Sequence, residues 1–194
     1  MSTSEFTKYM IAKGVKQLLE TKDFEQISVG DIARQCKISR NTFYYHLKDK
    51  YEVISWIFYT EITPIIGTSH SIENWTQALL ALCNYMREQK EFYRKVLHIQ
   101  GQNSFSECLM EFCVNLVQNL LLNAKGEQIL SPLHIRAISH FYAFGLTGVI
   151  SNWAKNGMKA EPEPVIRMLE DLLSGEIFAQ VLALEKEAKA EGSP

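Results

Sequence analysis

Apolar residues along this 194-residue chain recur at three- and four-residue spacing almost throughout, and no run alternates over the length of a strand. Phe6, Tyr9, Met10, Val15, Leu18 and Leu19 mark a first helix, expected to end near Thr21. Phe24, Ile27 and Val29 then enter a core. Ser28 followed by Asp31 reads as a capping pair that opens a short second helix over 29–35. After a break at 36–38, Ser39 is a good N-cap for a third short helix running to Leu47. Asp49 with Glu52 is another capping pair and opens a long apolar helix from Lys50 to about Ile62, stopped by Pro64 and Gly67.

Further helices are expected over 72–87, 91–99 and 105–123. Ser131-Pro132 is a strong start signal for a helix reaching Lys155, because serine caps the end and proline is tolerated at the first helical position. Glu161-Pro162-Glu163-Pro164 precedes a last helix from Val165 to about Leu184, followed by a charged tail. The predicted fold class is all-α, with about nine helices. Residues 1–50 form a three-helix unit and residues 51–194 a larger helical domain.

Three short helices, the second and third separated by three residues, make the helix-turn-helix pattern. Val29, Ile32, Ala33, Ile38, Phe43 and Leu47 are the apolar set that would lock the pair. The third helix then exposes Arg40, Asn41, Thr42, Tyr44, Tyr45 and His46, which are types that suit DNA. Arg40 and Asn41, at the N-terminal end, are candidates for reading base edges. Tyr44, Tyr45, His46 and Lys50 are assigned to phosphates, with Ser28 and Ser39 at the two helix starts completing the candidate contacts. Lys48 and Lys50 flank a helix start whose amides and dipole also favour a phosphate. Composition tempers this only slightly. The net charge is −2, yet residues 1–55 carry nine Lys/Arg against seven Asp/Glu, so the basic balance lies where the motif is.

The segment Ile-Ser-Val-Gly-Asp-Ile-Ala-Arg-Gln-Cys-Lys-Ile-Ser-Arg-Asn-Thr-Phe-Tyr-Tyr-His-Leu-Lys-Asp-Lys (27–50) resembles the DNA-binding signature of the TetR family, also called TetR/AcrR. Ser28, Ile32-Ala33, Ile38-Ser39, Tyr44, His46 and Lys50 fall on the positions of that pattern. Cys36-Lys37 stands where the family has Ala-Gly, and Leu47 where it has Phe, so the turn must do without glycine. Asp-Lys-Tyr-Glu-Val-Ile-Ser-Trp-Ile-Phe (49–58), with the overall length, is similar to a subgroup common in lactic-acid bacteria, which includes an activator of dihydroxyacetone kinase operons. The family resemblance implies a regulator, expected here to be a repressor, that binds a palindromic double-stranded DNA operator as a homodimer.

It also implies that the last two helices pair across a two-fold axis, which places Phe141, Gly145, Gly148, Leu169, Leu172 and Ile177 at the dimer interface. An effector site would draw on Trp75, Tyr85, Tyr93, His98, Phe112, His140 and Phe141, with Tyr142 beside them, although core packing is the better account of any one of them. The alternative is a co-activator or regulator of the same fold that answers to a protein partner and has no small-molecule effector. No catalytic constellation, phosphate loop, cofactor motif or metal spacing is visible, so no enzyme, cofactor or metal is expected. Cys36, Cys83, Cys108 and Cys113 lie in apolar helical contexts without paired spacing, as free thiols do in a reducing cytosol. The stretch 137–154 carries no charge over 18 residues, but its Ser, His, Thr, Asn and Gly suit a helix buried among helices better than one facing lipid. A soluble, cytoplasmic protein with no membrane partner is expected.

Overall fold

Side-chain caps set the helix starts as the sequence pattern demands. The computed structural model describes residues 2–66, 75–99, 104–123 and 130–174, so Ile177 lies outside them. Among the described residues every regular element is helical. Helix α1 (Thr3–Thr21) opens with a reciprocal box: Glu5 N–H donates to Ser2 Oγ at 3.2 Å and Ser2 N–H to Glu5 Oε2 at 2.6 Å. Its buried face is Ile11, Ala12, Gly14, Val15 and Leu19. Phe6, Tyr9 and Met10 are exposed, so the apolar stripe read from the sequence begins about a turn and a half later than expected.

Helix α2 (Val29–Gln35) has the predicted bounds and α3 (Arg40–His46) ends one residue short of the prediction. Asp31 N–H donates to Ser28 Oγ at 3.1 Å and Ser28 N–H to Asp31 Oδ2 at 3.0 Å. The Ser28 hydroxyl and amide, with Lys22 and Arg34 nearby, hold the Asp31 carboxyl down at about 2, so this cap is ionised at any neutral pH. Between the helices, Ile38 N–H donates to Ala33 O at 2.9 Å, the closing bond of a glycine-type helix end. The residue in the left-handed conformation there is Lys37, at φ 54°. The turn therefore keeps the backbone of a glycine turn without the glycine, at a strain of roughly 1–2 kcal/mol.

The next helix does not stop at Pro64. Helix α4 (Lys50–Ile57) passes through a π-helical turn (Phe58–Ile62) into α5 (Thr63–Ile66). A proline ring clashes with the carbonyl one turn back and removes a donor. The widened turn just ahead of Pro64 relieves both demands, with Thr63 N–H bonding five residues back to Phe58 O. Asp49 accepts from Glu52 N–H at 2.9 Å as expected, while Glu52 reaches the N–H of Lys48, one residue short of a full box.

The remaining helices are α6 (Trp75–Glu88), α7 (Lys90–Val96), α8 (Phe105–Asn123), α9 (Pro132–Lys155) and α10 (Pro162–Ser174). Helix α7 ends before the predicted Ile99, and α10 starts three residues before the predicted Val165. Pro162 and Pro164 both fall in its first turn, where backbone amides have no helical partner to lose. Helix α8 lies along α9, α10 against α6, and α1 against α2, α4 and α7. Of the described helices only α8 is long and apolar enough to cross a membrane, yet Phe105, Cys108, Leu109, Cys113, Leu116 and Val117 face the protein interior. One apolar cluster runs unbroken from Ile11 through Phe43 and Ile57 to Leu146 and Leu169. Burial pushes the thiols of Cys83 and Cys113 up to about 12, which leaves them as unreactive core residues.

Cys36 shows how α1 and α2 fit. A Cβ built on Gly14 would lie 2.4 Å from Cys36 Sγ, and that thiol donates to Met10 O at 3.4 Å. A short helix-facing residue at 14 thus makes room for Cys36 in the turn. Gly14→Ala is expected to lower stability by about 1–3 kcal/mol despite alanine's better helix propensity, through overpacking. Adding Cys36→Ala should restore most of the loss in a urea titration. A stable Gly14→Ala single variant would show that the two helices separate easily here.

Candidate nucleic-acid interface

The candidate side chains divide by what their polar atoms already hold. Ser28 Oγ accepts the Asp31 amide and donates to its carboxylate at 2.7 Å. Ser39 Oγ accepts Thr42 N–H at 2.9 Å and shares a 2.8 Å hydrogen bond with the Thr42 hydroxyl. All three residues are engaged in starting helices. His46 Nδ1 lies 3.2 Å from Ser4 Oγ, which ties the end of α3 to the first turn of α1. Sequence reasoning did not single out Ser4, because a contact 42 residues away leaves no local signal.

Lys50 departs most from expectation. Its ammonium donates to Phe24 O at 2.7 Å, Ile27 O at 2.9 Å and Glu25 O at 3.2 Å. It also sits 4.6 Å above the Phe24 ring and 5.6 Å from that of Tyr51. An ammonium has three donors, and here a carbonyl answers each one. Burial lowers the pKa of Lys50, partly offset by Glu25. The ammonium expected to meet a phosphate is here engaged as a strut between the 24–27 loop and the start of α4.

Arg40, Asn41, Tyr44 and Tyr45 form the other group. Among the described residues none of their side chains has a hydrogen bond or ion pair within the chain, and all four residues are exposed. Tyr45 is 83% exposed and Tyr44 56%, with only neighbouring rings for company: His46 at 4.9 Å and Phe43 at 5.6 Å. Phe43 and Leu47, on the opposite face, are fully packed in the core. Helix α3 is thus anchored by two apolar residues and a cap, and presents one arginine, one amide and two phenols to the outside. Guanidinium and amide can each pair bidentately with base edges, and phenols donate to phosphate oxygens.

Two lysines fix this head on the remaining helices. Lys16 on α1 donates to Glu61 Oε2 in the π-helical turn at 2.6 Å and to Gln89 Oε1 at 2.8 Å, and lies 4.9 Å above Phe92. The same Glu61 oxygen accepts from Tyr85 OH at 2.8 Å. Burial, this carboxylate and its charge push the Tyr85 phenol up to about 12. Lys95 on α7 donates to the end carbonyls Leu19 O and Glu20 O of α1.

The residues proposed for an effector site do not converge. Trp75 and Tyr93 are core residues, Tyr93 fully buried against Phe92, Phe105 and Tyr85. Tyr85 joins the Lys16–Glu61 contact, Phe112 is half-buried and His98 is exposed. His140 borders a groove of about 580 Å³ with Tyr59, Cys108 and Glu111. Phe141, next in sequence, lies on another side of α9 with Leu169 and Leu172. Adjacent helical residues point about 100° apart, which is why a list of aromatics cannot be read as a pocket.

Comparison with known proteins places this geometry. The family described as bacterial regulatory proteins, tetR family, matches residues 11–55, and the one described as transcriptional regulator C-terminal region matches residues 73–175. Over 99 residues the chain is 36% identical to the HTH-type dhaKLM operon transcriptional activator DhaS of Lactococcus lactis, covering 51% of this chain and 53% of that protein. The chain spans about half the length of the curated relatives it matches. The solved structure of the dihydroxyacetone kinase operon activator DhaS is similar with a TM-score of 0.63 at 27% identity, covering 89% of this chain and 97% of that one. A fatty acid degradation regulator, FadR of Bacillus halodurans, shares the fold with a TM-score of 0.63 at 17% identity, over 87% and 95% of the two chains.

Lys50→Met keeps length and apolar body but leaves three carbonyls without their donor. It should lower unfolding stability by about 1–3 kcal/mol and leave the salt dependence of any DNA binding unchanged. Unchanged stability with a salt slope reduced by about one would return Lys50 to the phosphate contacts.

Proposed function

The chain belongs to the tetR family of bacterial regulatory proteins, and is a transcriptional regulator, not an enzyme; from that premise we propose that it binds a two-fold symmetric DNA operator as a homodimer through α3. The observation that carries this reading is the set of unengaged polar side chains on α3. Arg40 and Asn41 read base edges from the N-terminal end of that helix, and Tyr44 and Tyr45 hold phosphates on either side. His46 contributes beside them. Ser28, Ser39, Thr42 and Lys50 set the frame on which those groups stand. The proposed functional division is residues 1–50 for DNA and 51–194 for pairing and control. The similar protein DhaS is by name an operon activator, so the sign of regulation is left out of this proposal.

Pairing rests on α9 and α10. Leu133, Phe141 and Phe144 are exposed to 75%, 74% and 67%, an apolar strip that a lone chain would leave in water. An open groove of about 540 Å³ between Phe141, Val149, Leu169 and Leu172 continues it. A Cβ at Gly145 or Gly148 would meet nothing within 4 Å, so among the described residues nothing calls for small side chains there. A second α9 crossing closely at that point does. A single α3 also contacts too few phosphates for tight binding, which a two-fold pair corrects.

Duplexes selected from a random DNA pool should share an inverted repeat, with two chains bound per duplex. Binding should weaken steeply with salt as counterions are released. Against single-base variants of the selected site at fixed salt, Arg40→Ala should lose about 1–3 kcal/mol of discrimination at one position of each half-site. Uniform weakening across the panel would place Arg40 on a phosphate instead.

Gly148→Glu would set a carboxylate in the proposed seam. It is expected to cost the dimer roughly 3 kcal/mol or more. Light scattering at micromolar concentration should then find dimeric wild type and monomeric variant. An intact dimer in the variant would move the interface away from this face of α9.

A further inference from the structure

Glycine is, after proline, the poorest residue for a helix interior, yet Gly30 is the buried second residue of the seven-residue α2. The three atoms nearest to a Cβ built there all belong to one side chain. Arg40 Nη2 would be 2.5 Å away, and Arg40 Cζ and Nε 3.1 Å each. The guanidinium thus lies across the bare backbone of α2, instead of projecting freely from the tip of α3. On its other side Gly30 offers its carbonyl to Arg34 Nε at 3.3 Å, and Arg34 is paired with Asp31 at 2.5 Å. The Arg40 side chain makes no hydrogen bond or ion pair among the described residues, so contact with Gly30 is what locates it, while its donors stay available.

We propose that Gly30 is a positioning residue for DNA recognition: the missing side chain on α2 is the seat that sets where the Arg40 guanidinium meets the duplex. The inference rests on the reading of α3 as the DNA-contacting helix and deepens it. A guanidinium on a long side chain loses rotamer freedom when it binds, and a seat that holds it beforehand reduces that loss. An added methyl group would displace only the flexible end of Arg40. The fold is spared and the recognition is not.

The test is a double-mutant cycle with Gly30→Ala and Arg40→Ala, read as affinity for the selected duplex and for its single-base variants. Gly30→Ala should raise Tm by about 2–4 °C, since alanine is the better helix former. It should weaken binding by about tenfold or more, with the loss concentrated at the base pair that Arg40→Ala also affects. In the Arg40→Ala background the same change should alter affinity less than about twofold, the mark of two residues acting through one contact. Equal weakening in both backgrounds would mean that the glycine lets the backbone itself approach DNA, and would overturn the proposal. So would a fall in Tm, which would make Gly30 a requirement of packing, or unaltered binding by Gly30→Ala where Arg40→Ala alone is impaired. If Arg40→Ala binds every duplex as the wild type does, the role of Arg40 in α3 recognition fails, and the seat proposed for it fails with it.

Discussion

A lysine ammonium partly withdrawn from water must replace lost hydration with acceptors, and Lys50 does so with three backbone carbonyls of one short loop, Phe24, Glu25 and Ile27. That loop joins α1 to α2, and Lys50 is the first residue of α4. One side chain therefore fixes the base of the helix-turn-helix to the helix that leads into the larger domain. Lys16 and Lys95 repeat the device higher up, against Glu61 with Gln89 and against the last carbonyls of α1. Together with the single apolar cluster running through both parts, these ties make α3 a surface whose orientation is set by the whole molecule.

The glycines divide along the same lines. Gly14 and Gly30 each have a close neighbour inside the chain, Cys36 Sγ in one case and the Arg40 guanidinium in the other. Gly145 and Gly148 have none among the described residues. The first two serve contacts within the DNA-binding head. The second two sit among exposed Phe141 and Phe144, on the face proposed to pair with a second copy.

Local signals in the sequence carried far. Ser28, Ser39, Asp49 and Ser131 cap the helices they were expected to start, and α8 and α9 have the predicted bounds, because capping and apolar spacing act over one or two turns. What the sequence hid is non-local or geometric. The relief of Pro64 by a widened turn cannot be seen in spacing. The three carbonyls that engage Lys50 lie 23–26 residues upstream, beyond the reach of any local pattern. Lys37 shows that a left-handed turn can be held by Ile38 and its closing hydrogen bond even where glycine is absent. The aromatic residues grouped as a pocket scatter because residue type does not encode direction around a helix.

Helix α3, held from behind by caps and core, is the surface proposed to meet DNA. Backbone hydrogen exchange of the protein alone and saturated with its selected duplex tests this most directly. The account predicts slowed exchange over residues 39–46, smaller protection at the first turn of α1 where Ser4 meets His46, and little change in α6 and α8. Protection confined to α9 and α10, or absent from residues 39–46, would contradict it.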